Sequence, residues 1–85
     1  MAFFAAMLYM KDEELNATYR PDHLAFLEGL DKEGKIFARG PFLDGTGGMV
    51  IYQSDSYEEA LKLAEKDPYI VHGVRSLKLH EWGKM

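Results

Sequence analysis

The chain has 85 residues, a net charge of −4, 47% hydrophobic and 28% charged residues, and no cysteine. That length predicts one small domain over residues 1–85, which buries only about 60–65% of the surface its unfolded chain exposes, so a second subunit adds considerably to its stability. The missing cysteines exclude disulfides, thiolate chemistry, zinc knuckles and iron–sulfur clusters; an acidic balance with no Lys or Arg run argues against nucleic acid and acidic membranes; and no apolar run reaches the roughly twenty residues of a membrane span.

From Ala2 to Met10 both alternate sets of residues are hydrophobic, the pattern of a strand covered on two faces. These residues lack the basic start and cleavage site of a secretory signal, which points to the cytoplasm. Lys11 to Asn16 reads as a polar connection. Arg20-Pro21 then reads as a helix start, because Pro is well tolerated at the first helical position, and Leu24, Leu27 and Leu30 carry helical spacing as far as Lys32 before Gly34 stops it. In this reading His23 lies in the first turn, where the positive end of the helix dipole favours the neutral, proton-accepting imidazole, so His23 is the first candidate for a base.

Lys35 to Phe42 and Met49 to Gln53 form a hairpin across the Gly-rich segment Asp44 to Gly48, with Pro41 at a strand end or edge. Ser54-Asp55-Ser56 caps a second helix, with Glu58 and Glu59 in its first turn. Asp67 precedes Pro68 and so leaves that helix to cap a short turn from Pro68 to about His72. Gly73 releases the chain into a last strand, Val74 to Trp82. The order β-α-β-β-α-β predicts an α+β, ferredoxin-like fold: a four-stranded antiparallel sheet with both helices on one face. The other face is left for a second copy, and Tyr52 and Trp82 are expected to line that homodimer interface.

The apolar first strand, Arg20-Pro21-Asp22-His23-Leu24, Gly34, Gly40-Pro41, the Gly-rich hairpin and Asp67-Pro68-Tyr69 together resemble the YCII-related family of the dimeric α+β barrel superfamily, over essentially the whole length. The resemblance implies a His–Asp pair, here His23 and Asp67, meeting in a cleft between the helix side and the sheet. It implies Arg20 and Tyr69 flanking the pair and Gly40 and Pro41 shaping the wall. The segment between Gly40 and Met49 is shorter than hairpins common in the family.

A carboxylate that accepts one imidazole N–H fixes the tautomer and leaves the other nitrogen free to take a proton. The pair therefore suggests a lyase or isomerase step on a small organic molecule, needing no cofactor; the alternative is a non-catalytic dimeric module whose cleft holds a small metabolite. His72 and His80 have no second ligand at helical spacing, so no metal site is expected.

Overall fold

The computed structural model describes all residues 1–85. The elements are β1 (Ala2–Met10), α1 (Glu13–Lys32), β2 (Ile36–Pro41), β3 (Gly47–Ser54), α2 (Tyr57–Glu65), α3 (Pro68–Val71) and β4 (Arg75–Trp82). All strand pairs are antiparallel and the sheet order is β2-β3-β1-β4, which is the ferredoxin-like arrangement. No helix is long and apolar enough to cross a membrane.

The first helix starts earlier than the sequence pattern suggested. Asp12, in extended conformation, accepts a hydrogen bond from the Leu15 N–H at 3.0 Å, and Glu13 and Glu14 occupy the first turn, where the dipole favours them. Pro21 is therefore inside α1, not at its start. Its missing N–H deprives the Ala17 carbonyl of a helical partner, but both residues are exposed, so water can take its place. His23 consequently lies in the middle of α1, where the dipole of a helix start does not act.

One face of the sheet carries the core. Phe4, Ala6 and Leu8 of β1 and Val50 and Tyr52 of β3 are buried with Leu27 and Leu30 of α1 and Ala60 and Ala64 of α2. Tyr52 pairs in register with Phe4 and so points to the helices; it is 1% exposed and belongs to the core rather than to the open face expected for it. The opposite face presents Phe3, Ala5 and Met7 of β1 beside Gln53, Ile51 and Met49 of β3. Phe3 there packs edge-on to Phe37 at 5.0 Å and to Trp82 at 6.3 Å, and Phe37 and Trp82 remain exposed.

Two neighbouring glycines at the start of β3 shape the end of the sheet nearest α1 and α3. Gly47 has φ 148°, and a Cβ there would lie 1.9 Å from the Leu8 carbonyl oxygen, so no side chain fits. Gly48 is in register with Leu8 on one side and Pro41 on the other, which places it on the helix face of the sheet. A Cβ there would meet the Gly40 carbonyl oxygen at 2.9 Å and Pro41 Cα and Arg75 Nη1 at 3.3 Å, so only glycine leaves room for these groups.

Candidate active site

Gly48 lines a pocket of about 110 Å³ between α1 and the β2–β3 end of the sheet. His23 and Arg20 of α1, Gly40 and Pro41 of β2, and Tyr69 and Arg75 from the other end of the chain all line it. Asp67 stands behind this lining, fully buried at 0% exposure.

Asp67 is held from two directions. As the N-cap of α3 it accepts the Tyr69 N–H at 2.9 Å, and the His23 Nδ1–H donates to its two carboxylate oxygens at 2.8 and 3.0 Å. A carboxylate only accepts, so this contact puts the proton of a neutral imidazole on Nδ1 and leaves Nε2 bare. Nε2 has no hydrogen-bond partner in the protein, and no buried polar side-chain atom is left unpaired, so Nε2 is the atom His23 offers to the pocket. The capping and pairing roles foreseen for Asp67 thus coexist in one carboxylate.

Two stacked ring pairs lock α3 onto α1. His23 lies on Tyr69 with ring centroids 3.9 Å apart and an interplanar angle of 16°, and Tyr19 lies on His72 at 3.9 Å and 8°. Tyr19 and His23 are one helical turn apart on α1, so the two short stacks share one helix face. The position of His72 is that of a surface residue within this contact, and His80 is exposed on β4.

The charges near the pair come from arginines. Arg20 is exposed at the pocket and forms no ion pair, whereas Arg39, which also lines it, is bound to Asp31 at 2.9 and 3.0 Å. Arg75, at the start of β4, was not singled out by any sequence motif. Its guanidinium carbon lies 4.3 Å from the centre of the Tyr69 ring, and its Nε and Nη2 donate to Asn16 Oδ1 at 3.1 and 2.9 Å. Asn16 and Arg75 are separated by most of the chain, so no local spacing could have paired them.

Burial pushes the Tyr69 hydroxyl up, with Asp67 adding to the effect and Arg75 and Arg20 opposing it. Burial lowers the Arg75 guanidinium, against the pull of Tyr69 and Asp67. Tyr52 is raised furthest, by burial first and then by the charge of Asp67.

Residues 2–83 match the YCII-related domain. The chain belongs to the YCII-related family. It is 37% identical over 76 residues to the uncharacterized protein YjpA of Bacillus subtilis, with 89% of each chain covered. It is 34% identical over 82 residues to protein YciI of Escherichia coli, covering 80% of this chain and 84% of that one. Among solved structures it is similar to TftG, the 5-chloro-2-hydroxyhydroquinone dehydrochlorinase of Burkholderia phenoliruptrix, in complex with 2,5-dihydroxybenzoquinone. The TM-score is 0.81 at 25% identity, over 95% of this chain and 93% of that one. The YCII-related fold and the buried His–Asp pair therefore occur together in this protein.

The raised tyrosines predict a pH dependence of stability. A neutral Tyr52 is favoured in the fold relative to its ordinary value of 10.0, so its contribution is fully present below that pH and is lost as pH rises through the higher folded value. Denaturation midpoints are expected to fall above about pH 10, and Tyr52→Phe is expected to flatten that fall; a wild-type protein and a Tyr52→Phe variant with the same alkaline slope would contradict this.

Proposed function

We propose that this YCII-related chain is a single-domain, homodimeric, cytoplasmic enzyme that moves a proton on a small organic molecule, in a lyase or isomerase type of reaction. In this reading His23 is the general base or acid, Asp67 orients it, Arg20 and Tyr69 position the substrate, and Gly40 and Pro41 wall the pocket. The observation that carries the proposal is the direction of His23: Nδ1 is bound to a buried carboxylate while Nε2 is free beside a pocket.

In an elimination, Nε2 takes a proton from carbon. The electron pair of that C–H bond becomes the new carbon–carbon double bond, and the leaving group departs with the electrons of its own bond. In an isomerisation the proton is returned to another carbon of the same molecule. Neither route changes the overall oxidation state, so neither needs a redox cofactor. Asp67 stabilises the imidazolium formed in the first step and need not itself be protonated. The similarity to TftG, a dehydrochlorinase, supports a reaction of this class.

The dimer reading rests on the open sheet face, where Phe3, Phe37 and Trp82 cluster at one end and the pairs Ala5–Ile51 and Met7–Met49 follow along β1 and β3. A contiguous apolar face of this kind is usually covered, and a second copy presents a matching surface across a two-fold axis. Sedimentation at micromolar concentration is expected to give twice the 9.7 kDa chain mass, whereas the mass of a single chain would contradict the dimer.

A screen of small carboxylic acids and of hydroxylated and halogenated single-ring compounds, read by halide release and by deuterium incorporation from D₂O, tests the activity. On any substrate found, His23→Asn is expected to lower kcat by about 10²–10⁴-fold with a smaller change in KM. Turnover left intact in His23→Asn would remove His23 from the chemistry.

A further inference from the structure

We propose that the pocket beside His23 selects small organic anions and that Arg75, held in place by Asn16, is the residue that receives the negative charge. The proposal rests on the reading of this pocket as the substrate site and specifies the class of molecule it takes.

The chain as a whole is acidic, yet the ionisable side chains lining the pocket are His23, Tyr69 and three arginines, with no carboxylate among them. The three arginines are not equivalent. Arg39 is neutralised by Asp31, and Arg20 is exposed, where water screens its charge. Arg75 is half-buried and has no ion-pair partner: its side-chain acceptor is the neutral amide oxygen of Asn16. Placing a guanidinium where burial opposes its charge is costly, and proteins ordinarily offset that cost with a carboxylate. The nearby carboxylate, Asp67, raises Arg75 only through its field. Its oxygens are occupied by the His23 Nδ1–H and the Tyr69 N–H.

The orientation of the guanidinium supports the same conclusion. Asn16 takes the Nε and Nη2 edge of the fork, and the Tyr69 ring lies against its flat side. The remaining edge, Nη1 with the second hydrogen of Nη2, is the one that can bind a carboxylate end-on by two parallel hydrogen bonds. Nη1 is directed at Gly48, where a Cβ would come within 3.3 Å of it. The missing side chain at position 48 is what lets the Nη1 end of Arg75 lie against β3 among the residues that line the pocket. Any side chain at position 48 would also meet the Gly40 carbonyl oxygen at 2.9 Å.

Size narrows the class further. The pocket volume of about 110 Å³ is below the ~150 Å³ of a closed cavity that holds benzene, so the ligand is a short-chain acid or a single ring projecting partly into solvent. Arg75 acts as a positioning residue in this account: it holds the anion while His23 Nε2 faces the same space.

Benzoate and its neutral counterpart benzyl alcohol are the probes, with binding followed by amide chemical-shift titration of the full chain. Benzoate is expected to bind at least about tenfold more tightly than benzyl alcohol and to shift Gly48 and Tyr69. Arg75→Gln should lose about tenfold or more of the benzoate affinity with its amide spectrum otherwise unchanged. Arg75→Lys, which keeps the charge without the fork, and Asn16→Ala, which frees the fork, should each lose less. Arg20→Gln should change binding by less than Arg75→Gln does. Arg75→Gln should leave the His23 Nδ1–H tautomer as it is in wild type, so that loss of turnover in His23→Asn and loss of binding in Arg75→Gln report separately on the chemistry and on the anion site. Benzoate that binds no better than benzyl alcohol, that fails to bind wild type, or that binds Arg75→Gln as tightly as wild type would overturn the proposal.

Discussion

A carboxylate buried with no exposure to solvent is the constraint around which this small domain is arranged. Asp67 can be ionised there only if its oxygens are supplied with donors, and it draws them from two elements far apart in sequence: the Tyr69 N–H of its own short helix and the His23 Nδ1–H from α1. Satisfying Asp67 therefore fixes α3 against α1, sets the tautomer of His23 and turns Nε2 toward the pocket. The stacked pairs His23–Tyr69 and Tyr19–His72 reinforce the same contact, so the imidazole is held by packing as well as by its hydrogen bond. A group fixed in this way loses little further freedom when a substrate arrives, which is the geometric condition for proton transfer.

The second organising feature is an absence of side chain at Gly48. In an antiparallel sheet every second residue of β3 fills the layer beneath the helices, and Val50 and Tyr52 do so. At Gly48 the series is interrupted, and Gly48 lines the pocket together with His23. Arg75 reaches the same pocket from β4, the strand on the other side of β1. An imidazole and a guanidinium thus approach one small pocket from different elements of a single sheet-and-helix scaffold.

Much of this was legible in the sequence because it is local. Two-faced hydrophobicity marked Ala2 to Met10 as a strand, Ser54-Asp55-Ser56 and Asp67 announced helix starts, and the Gly-rich segment announced the hairpin. Pro21 misled because the preference for the first helical turn is a tendency: on the exposed side of α1 a lost hydrogen bond is repaired by water, and the stronger start signal, Asp12 followed by Glu13 and Glu14, lay upstream in residues read as a connection. Tyr52 was assigned to the open face because composition does not set strand register; pairing with Phe4 turns it inward. The His23–Asp67 contact was anticipated from family resemblance, since nothing in spacing alone joins residues so far apart. The Asn16–Arg75 contact had neither a local pattern nor a motif to reveal it.

What His23 can do in the pocket depends on which of its nitrogens carries the proton. ¹⁵N-detected two-bond correlation of the His23 ring, followed to the pH at which the imidazole signals no longer change, decides it. The predicted result is a single Nδ1–H tautomer with an unprotonated Nε2. An Nε2–H tautomer, or the averaged mixture of a freely exchanging imidazole, would contradict the account, because His23 would then not be held by Asp67 and would have no bare nitrogen to offer the pocket.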